Sequence, residues 1–212
     1  DLKNTKVEKQ PLLPTENNVL KTFSIENEPV VELVNNRERE YIFADLPDIG
    51  YSTDIDTVMA SSYQVKKQLQ QIVKIEQPIT NTLLYKRILR IWNLTRVTTR
   101  LQVFIDSLLE DAYKDPLSGD TIIYWENKEK AKECDFYRIN SKRDILDIPI
   151  LEVMSAARYA IEQQISMPIE DLKRLTSQLL GFSRKGNNLD MVTEQTIQLL
   201  INKGTQLYTL MH

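Results

Sequence analysis

Two arginines, Arg96 and Arg100, lie one helical turn apart and are flanked by hydroxyl side chains, with Thr95 and Thr99 directly before them. Residues at this spacing share one face of a helix. Guanidinium groups and hydroxyls are frequent phosphate ligands in proteins, and the free amides at a helix start can supply another. The spacing therefore predicts a phosphate-binding surface at the beginning of a helix.

Basic residues are segregated from acidic ones around this pair. No acidic residue occurs in 77–105 or in 172–189. The basic residues of these two stretches are Lys86, Arg87, Arg90, Arg96, Arg100, Lys173, Arg174, Arg184 and Lys185. The whole chain has a net charge of −3, so removing these nine positive charges leaves −12 for the remainder. Segregated charge favours a polyanionic partner, and these nine residues with Thr95 and Thr99 form the predicted nucleic-acid-binding set.

The same cations have a second interpretation, in which they pair with the acidic segment 45–56 and otherwise remain solvated. The lysines in 126–133 alternate with glutamates that cancel most of their field, so a solvated loop is predicted there. Trp92 and Trp125 are predicted to pack in the core rather than to stack on bases, because each follows apolar residues.

The sequence predicts neither catalysis nor a bound metal or cofactor. One cysteine and one histidine cannot form a zinc site, and no GxxxxGK[ST] or GxGxxG phosphate-binding loop occurs. Cys134 lies between Glu133 and Asp135, whose charges disfavour its thiolate. No apolar run reaches the roughly 20 residues of a membrane helix, so no membrane partner is predicted.

Helical periodicity begins at Tyr63 and stops before Pro78. A second helix is predicted after a cap at Thr80 or Asn81, and a third over 101–108. Three amphipathic helices therefore follow one another closely.

The β-branched and aromatic runs 121–125 and 135–139 flank the charged loop 126–133 and predict a β-hairpin. Three helices followed by a hairpin is the order of a winged helix, in which the third helix and the wing commonly contact nucleic acid.

A second set of three predicted helices follows Pro149, with Gly181 ending the middle one. Residues 91–101 align with 179–189 without a gap, at an offset of 88 residues. The alignment matches an arginine with an arginine and a core leucine with a core leucine. It predicts an internal duplication.

The predicted fold is mainly α with small β-hairpins (α+β), built from two tandem winged-helix-like units at 63–140 and 148–212. A polar arm or linker containing a short apolar patch at 30–34 is predicted for 1–40, and an acidic connecting segment for 41–62. The chain begins without Met and is expected to be a fragment of a longer protein.

Several short motifs resemble those of a known family. They are Glu76-Gln-Pro-Ile79, Arg87-Ile88, Trp92-Asn-Leu-Thr-Arg96 and Leu180-Gly-Phe-Ser-Arg-Lys-Gly186. Over about 41–204 the chain is similar to the domain of unknown function at the C-terminal end of large bacterial superfamily 1 helicase-like proteins, although Asn93 stands where glycine is usual. The resemblance implies a helicase core, and often a Vsr-like nuclease module, elsewhere in the protein. It brings no catalytic residues, because the family has none assigned.

The expected function is that of a non-catalytic accessory module of a bacterial, cytoplasmic, helicase-like protein. The module is expected to contact nucleic acid, DNA rather than RNA, mainly through phosphates. The alternative is a docking or dimerisation module that packs on the helicase core of the parent chain or on a second copy. A nucleic-acid module should keep both basic stretches on one exposed face. A docking module should instead expose an apolar patch of at least a few hundred Å².

Overall fold

The computed structural model describes residues 36–51, 53–115, 121–139, 142–163 and 167–210. Its helices are α1 Ile55–Ala60, α2 Ser62–Glu76, α3 Asn81–Ile91, α4 Thr99–Leu108, α5 Lys128–Lys132, α6 Ile150–Glu162, α7 Ile169–Leu179 and α8 Asn187–Leu210, with a 3₁₀ helix at Ile145–Asp147. Its strands are β1 Glu38–Glu40, β2 Ile79–Thr80, β3 Tyr113–Lys114, β4 Ile123–Trp125 and β5 Tyr137–Ile139. The prediction of a mainly helical chain with a few small strands is confirmed.

The first three long helices, α2 to α4, surround one apolar core. Val65, Leu69 and Ile72 recur at the spacing of one helical face on α2 and are fully buried. Thr80 caps α3, because its hydroxyl accepts a hydrogen bond from the backbone amide of Leu83 at 3.2 Å. Both α3 and α4 pack against α2.

The strands of this region form a three-stranded antiparallel sheet in the order β2-β4-β3. Ile79 pairs with Tyr124, and Tyr113 pairs with Trp125. All three residues of β4 are buried, as expected for a central strand. Along the chain this region therefore reads α2, β2, α3, α4, β3, β4.

The predicted hairpin between 121–125 and 135–139 is wrong. Its first half contains β4, which pairs with β2 and β3, whereas its second half contains β5, which pairs in parallel with β1. The predicted loop between them contains the short helix α5, whose first turn is capped by the Asn127 side chain. The alternating Lys, Glu and Ala residues of this segment favour helix over turn, and they separate the two strands.

The structure describes only part of the N-terminal segments predicted at 1–40 and 41–62. The apolar patch at 30–34 and most of the predicted arm lie outside the described residues. The end of the arm forms β1, and the pairing continues where the Tyr41 amide donates to the Ile139 carbonyl at 3.0 Å. Tyr41 and Ala44, in the predicted acidic connecting segment, are buried in the apolar core formed by α2 to α4.

The two sets of long helices repeat at the offset found in the sequence. The starts of α2, α3 and α4 lie 88 residues before the starts of α6, α7 and α8. Three buried positions of α2 correspond to buried positions of α6, and the core leucines of the last two helices correspond as well. These pairs are Val65 and Val153, Leu69 and Ala157, Ile72 and Ala160, Leu84 and Leu172, and Leu101 and Leu189.

The ends of α3 and α7 also match. Asn93 and Gly181 both take the left-handed conformation that closes a helix, with φ of 45° and 89°. The amides of Leu94 and Phe182 then donate to the carbonyls five residues earlier, at 2.9 Å in both units. Asparagine is the non-glycine residue that best tolerates this conformation, so Asn93 forms the same kind of turn as Gly181.

The two units differ after their last helices. The ten-residue α4 ends and leads into β3, whereas α8 continues for 24 residues. It reaches the last residue that the structure describes. Asn35–His212 forms one compact unit that contains both sets of helices.

A buried ionic cluster joins these sets. Arg138 on β5 donates to the main-chain carbonyls of Glu76 and Pro78, at 2.8 and 2.6 Å, and also to both oxygens of Glu152 on α6. Arg143 donates to the same carboxylate at 2.9 Å. Burial by itself would raise the pKa of Glu152, but the two guanidinium groups reverse this effect and lower it to about 2.

Candidate nucleic-acid interface

Trp92 directly follows α3 and anchors the turn between α3 and α4 in the apolar core. Its side chain is 3% exposed and its indole Nε1 donates to Gln68 Oε1 at 2.8 Å. Thr98 caps α4 by accepting from the Leu101 amide at 3.2 Å. Trp125 is also buried, so the prediction that both tryptophans are core residues is confirmed.

Three of the five basic residues in the first stretch have acidic partners. Lys86 lies 2.7 Å from Asp147, and Arg100 lies 2.8 Å from Asp56. The Arg100 pair is the kind of contact that the second sequence interpretation expected, since Asp56 belongs to the acidic segment. Both side chains of this ion pair are exposed to solvent, so the pair is weak and another anion can displace Asp56 from Arg100.

Arg87 has a structural position. Its Nε donates to the buried carboxylate of Glu76 at 3.0 Å and its Nη2 donates to the Ala44 carbonyl at 2.6 Å. Its side chain is only 12% exposed. Although predicted to contact nucleic acid, Arg87 instead anchors the segment after β1 to α2.

The remaining members of the first set face solvent. Arg90 and Arg96 are exposed, as are Thr95 and Thr99. Among the described residues, no carboxylate lies within ion-pair distance of Arg90 or Arg96. The first unit therefore presents two uncompensated guanidinium groups, one near the end of α3 and one in the turn before α4.

All four predicted cations of the second unit line a single cavity of about 170 Å³ at the junction of α7 and α8. They are Lys173, Arg174, Arg184 and Lys185. Ser177 and Ser183 contribute hydroxyls to the same wall, and Glu170 and Asp190 contribute carboxylates.

Two of these four cations are neutralised locally. Lys173 lies 3.2 Å from Glu194, and hydrogen bonding to that carboxylate raises the pKa of the lysine. Arg174 pairs with Asp171 at 3.0 Å. In the described structure Arg184 and Lys185 have no such partner, and both are exposed.

The free cations recur at one structural position. Arg96 and Arg184 are 88 residues apart, and each lies in the turn that leads into the last helix of its unit. A hydroxyl residue precedes each of them, Thr95 in the first unit and Ser183 in the second. Guanidinium, hydroxyl and helix-start amides together form a surface suited to phosphate oxygens.

The outer face of α4 is a feature that sequence reasoning missed. Val103 is 64% exposed although it is β-branched and apolar. Asp106, the one acidic residue of α4, accepts hydrogen bonds from the hydroxyls of Tyr85 at 2.8 Å and Tyr124 at 3.2 Å. Burial and this hydrogen bond raise the pKa of Tyr85 to about 12. The carboxylate of Asp106 is thereby held by two tyrosine hydroxyls, whereas Asp56, which pairs with Arg100, and Asp111, which follows α4, are exposed.

The described residues contain no group of three or more His, Cys, Asp or Glu side chains arranged to hold a metal ion. Burial raises the pKa of the Cys134 thiol to about 12, so this cysteine is a poor nucleophile near neutral pH. No described helix combines the length and apolar character needed to cross a membrane.

Comparison with known proteins gives one finding. Residues 60–103 match a family described as "Protein of unknown function (DUF3320)". The match supports a domain of unknown function, and it includes the whole of α2 and α3 together with Arg96. No curated protein and no solved structure matches the chain.

Proposed function

We propose that this chain is a non-catalytic module that binds nucleic acid through phosphate contacts made by the turns before α4 and α8. The proposal is carried by Arg96 and Arg184. They occupy the same position in the two repeats, both are exposed, and neither has an acidic partner among the described residues. A cation kept free at a repeated position fits a recurring external anion better than an internal structural role.

The arrangement of the first unit supports a winged-helix-like reading of 63–140. Its element order and the sheet order β2-β4-β3 are those of a winged helix if the wing is the connection between β3 and β4, rather than the predicted loop at 126–133. Part of that connection, 116–120, lies outside the described residues. In such a fold the turn with Arg96 and the start of α4 contact the DNA.

The number of free cations sets the expected salt dependence. Each neutralised phosphate changes log K by about 0.9 for each tenfold change in salt. If Arg90, Arg96, Arg184 and Lys185 each contact a phosphate, affinity falls about 150-fold between about 50 and 200 mM salt. Two contacts give a fall of only about 12-fold.

The resemblance to the C-terminal domain of helicase-like proteins, together with the family match at 60–103, supports an accessory role. In this proposal the module belongs to a cytoplasmic bacterial helicase-like protein, and it holds DNA for a motor located elsewhere in that protein.

The test is fluorescence anisotropy of labelled single-stranded and duplex DNA at about 50 and 200 mM salt, with the variant Arg96→Glu/Arg184→Glu. The matched control is Lys128→Glu/Lys132→Glu, which makes the same charge change at exposed positions on α5. We expect salt-sensitive binding that the first variant abolishes and the control retains. Equal losses in the two variants would show only a general charge effect, and no binding at low salt would refute the proposal.

A second candidate is docking on the helicase core of the parent chain. It is favoured by a cavity of about 360 Å³ between α2 and the end of α4, whose apolar lining includes Val73, Leu108 and Ala112. Such a cavity can hold an apolar side chain of a partner. The change Ala112→Glu should then abolish binding to the purified helicase core, whereas Ala131→Glu on α5 should not. Binding that survives Ala112→Glu would exclude this cavity as the docking site.

A further inference from the structure

We infer that β1 accepts an added β-strand from a partner protein along its open edge, and that this partner strand carries basic side chains opposite Glu38 and Glu40. The inference goes beyond the proposed function. It involves none of the residues proposed to contact nucleic acid, so the two proposals can fail separately.

The inner edge of β1 is paired with β5. The Tyr137 amide donates to the Arg37 carbonyl at 2.9 Å, and the Tyr41 amide donates to the Ile139 carbonyl at 3.0 Å. In a parallel ladder of this register, every second residue of a strand bonds to its neighbour. Arg37, Arg39 and Tyr41 therefore direct their backbone groups towards β5.

The outer edge of β1 consists of the backbone groups of Glu38, Glu40 and Ile42, which point the other way. No residue that the structure describes forms a hydrogen bond with these groups. The side chains of all three are exposed, that of Ile42 by 65%. A row of unused amides and carbonyls on an exposed strand is the template to which an extended peptide adds as a further strand.

The opposite edge of this sheet is already covered. On β5 the Arg138 amide donates to Glu152 Oε2 at 3.0 Å, so α6 occupies that side. The sheet therefore has one closed edge and one open edge. Because β1 and β5 have only three residues each, a third strand would add a large share of new ladder hydrogen bonds and cross-strand contacts.

The charges along the outer edge favour a basic strand. Glu38 and Glu40 lie on the same face of β1, because successive side chains of a strand alternate. Neither forms an ion pair with a described residue. A cavity beside Glu38 is lined by Lys142 and Arg143, and Arg143 is already bound to Glu152. Two carboxylates thus face one available lysine, and opposite charges across a ladder stabilise it.

The other face of β1 is aromatic and has no free carboxylate on the strand. The guanidinium carbon of Arg39 lies 3.9 Å from the centroid of the Phe136 ring, and Arg37 is bound to Glu162. Phe43 is 46% exposed just beyond the strand. A partner strand in which basic and apolar side chains alternate matches both faces, because its own side chains alternate in the same way.

A second copy of this chain fits the edge less well. If two outer edges paired in antiparallel fashion about Glu40, each Glu40 would face the other. Pairing about Arg39 would place Glu38 opposite Glu40. Like charges directly opposite one another destabilise a sheet, so the same carboxylates that attract a basic strand discourage self-association.

The probe is a synthetic peptide of about eight residues in which lysine and valine alternate, close to the length of an ordinary strand. The matched probe alternates glutamate and valine. Each is added to the full chain, and amide hydrogen exchange is followed by NMR. At saturation the lysine peptide should slow exchange at Glu38, Glu40 and Ile42 about tenfold or more, because these amides gain a hydrogen bond. Exchange at Arg39 and Tyr41, which already bond to β5, should change little.

Two variants test the edge itself. Glu40→Pro removes one outward amide and no hydrogen bond to β5, and an edge strand tolerates proline at such a position. It should weaken binding of the lysine peptide about fivefold or more, the effect of one lost hydrogen bond. Glu40→Lys keeps the backbone and should transfer preference to the glutamate peptide. Glu129→Lys on α5 makes the same charge change at an exposed position and should bind like the unaltered chain. Circular dichroism checks that each variant folds.

Several results would overturn the inference. Slow exchange at Glu38, Glu40 and Ile42 without peptide would show that the chain covers its own edge, and slowing that grows with protein concentration would identify a second copy. Unchanged exchange at millimolar lysine peptide, or equal effects of the two peptides, would exclude a basic strand as the partner. Equal effects of Glu40→Lys and Glu129→Lys would show only a general charge effect.

Discussion

Removal of the negative charge of Glu152 should destabilise the protein strongly. The carboxylate is fully buried and accepts hydrogen bonds from Arg138 and Arg143, whose side chains are 5% and 1% exposed. Glu152→Gln keeps the shape of the side chain but removes the negative charge that both buried guanidinium groups share. Breaking a buried ion pair in this way costs about 3–5 kcal/mol. This is a large fraction of the roughly 5–15 kcal/mol that stabilises a typical domain.

The same cluster predicts a pH dependence. The pKa of Glu152 is lowered from 4.5 to about 2 in the folded protein. At about 1.4 kcal/mol for each pKa unit, this difference corresponds to about 3 kcal/mol of stability. Because the folded-state pKa is the lower one, this stability is fully present above pH 4.5 and is lost as the pH falls towards 2. Glu152→Gln should remove this part of the acid sensitivity.

The assay is urea denaturation followed by circular dichroism at pH 7 and at several values between pH 5 and pH 2. Glu162→Gln is the matched control, because Glu162 pairs with Arg37 but its side chain is 55% exposed. An exposed pair contributes about 0–1 kcal/mol, so the control should change stability little. A loss below about 1 kcal/mol in Glu152→Gln, or an unchanged acid slope, would refute the assigned role of the buried cluster.

Three further predictions concern single positions. Gly181→Ala should lower stability by about 1 kcal/mol because the left-handed φ of 89° disfavours a Cβ, whereas Asn93→Gly should be neutral or stabilising, as measured by thermal denaturation. Asp56→Asn removes the carboxylate that pairs with Arg100 and should tighten DNA binding about threefold at low salt. The control Asp111→Asn, which removes the carboxylate that pairs with Lys66 of α2, should have a smaller effect. Equal effects would contradict a specific role for Asp56. The Cys134 thiol, whose pKa is about 12, should react with iodoacetamide at pH 8 far more slowly than a free cysteine peptide, and equal rates would show that the thiol is not buried.

The long helices were predictable from local pattern. Apolar spacing and end signals such as Thr80, Pro149 and Gly181 placed them within a few residues of their observed bounds. The repeat offset was predictable for the same reason, because equal spacing of core residues and helix ends is a property of the chain itself.

The strand pairing was not predictable in this way. The run containing β4 looks like one half of a hairpin, but its partners β2 and β3 each have only two residues in the ladder. Strands of that length leave almost no periodic signal. The choice between β2, β3 and β5 as partners depends on which of them the packed helices bring alongside.

The sequence predicted which residues make up the candidate site, but it did not predict which of them lack an acidic partner. The sequence identified nine basic residues in two acid-free stretches. In the structure Arg87 is bound to a buried carboxylate, and Lys86 pairs with Asp147 from a distant part of the chain. Charge segregation along the sequence does not reveal such partners, because they come from segments that fold back onto the helix.

The sequence by itself determined the helical repeat, the positions of its turns and the presence of an arginine before each last helix. These features depend on residues close to one another in the chain, where spacing and conformational preference act directly. Tertiary structure decided which arginines stay free, which strands pair, and that the acidic residue of α4 is held by two tyrosines. Those outcomes depend on contacts between distant segments, whose free energies arise only when the helices pack and water is excluded between them.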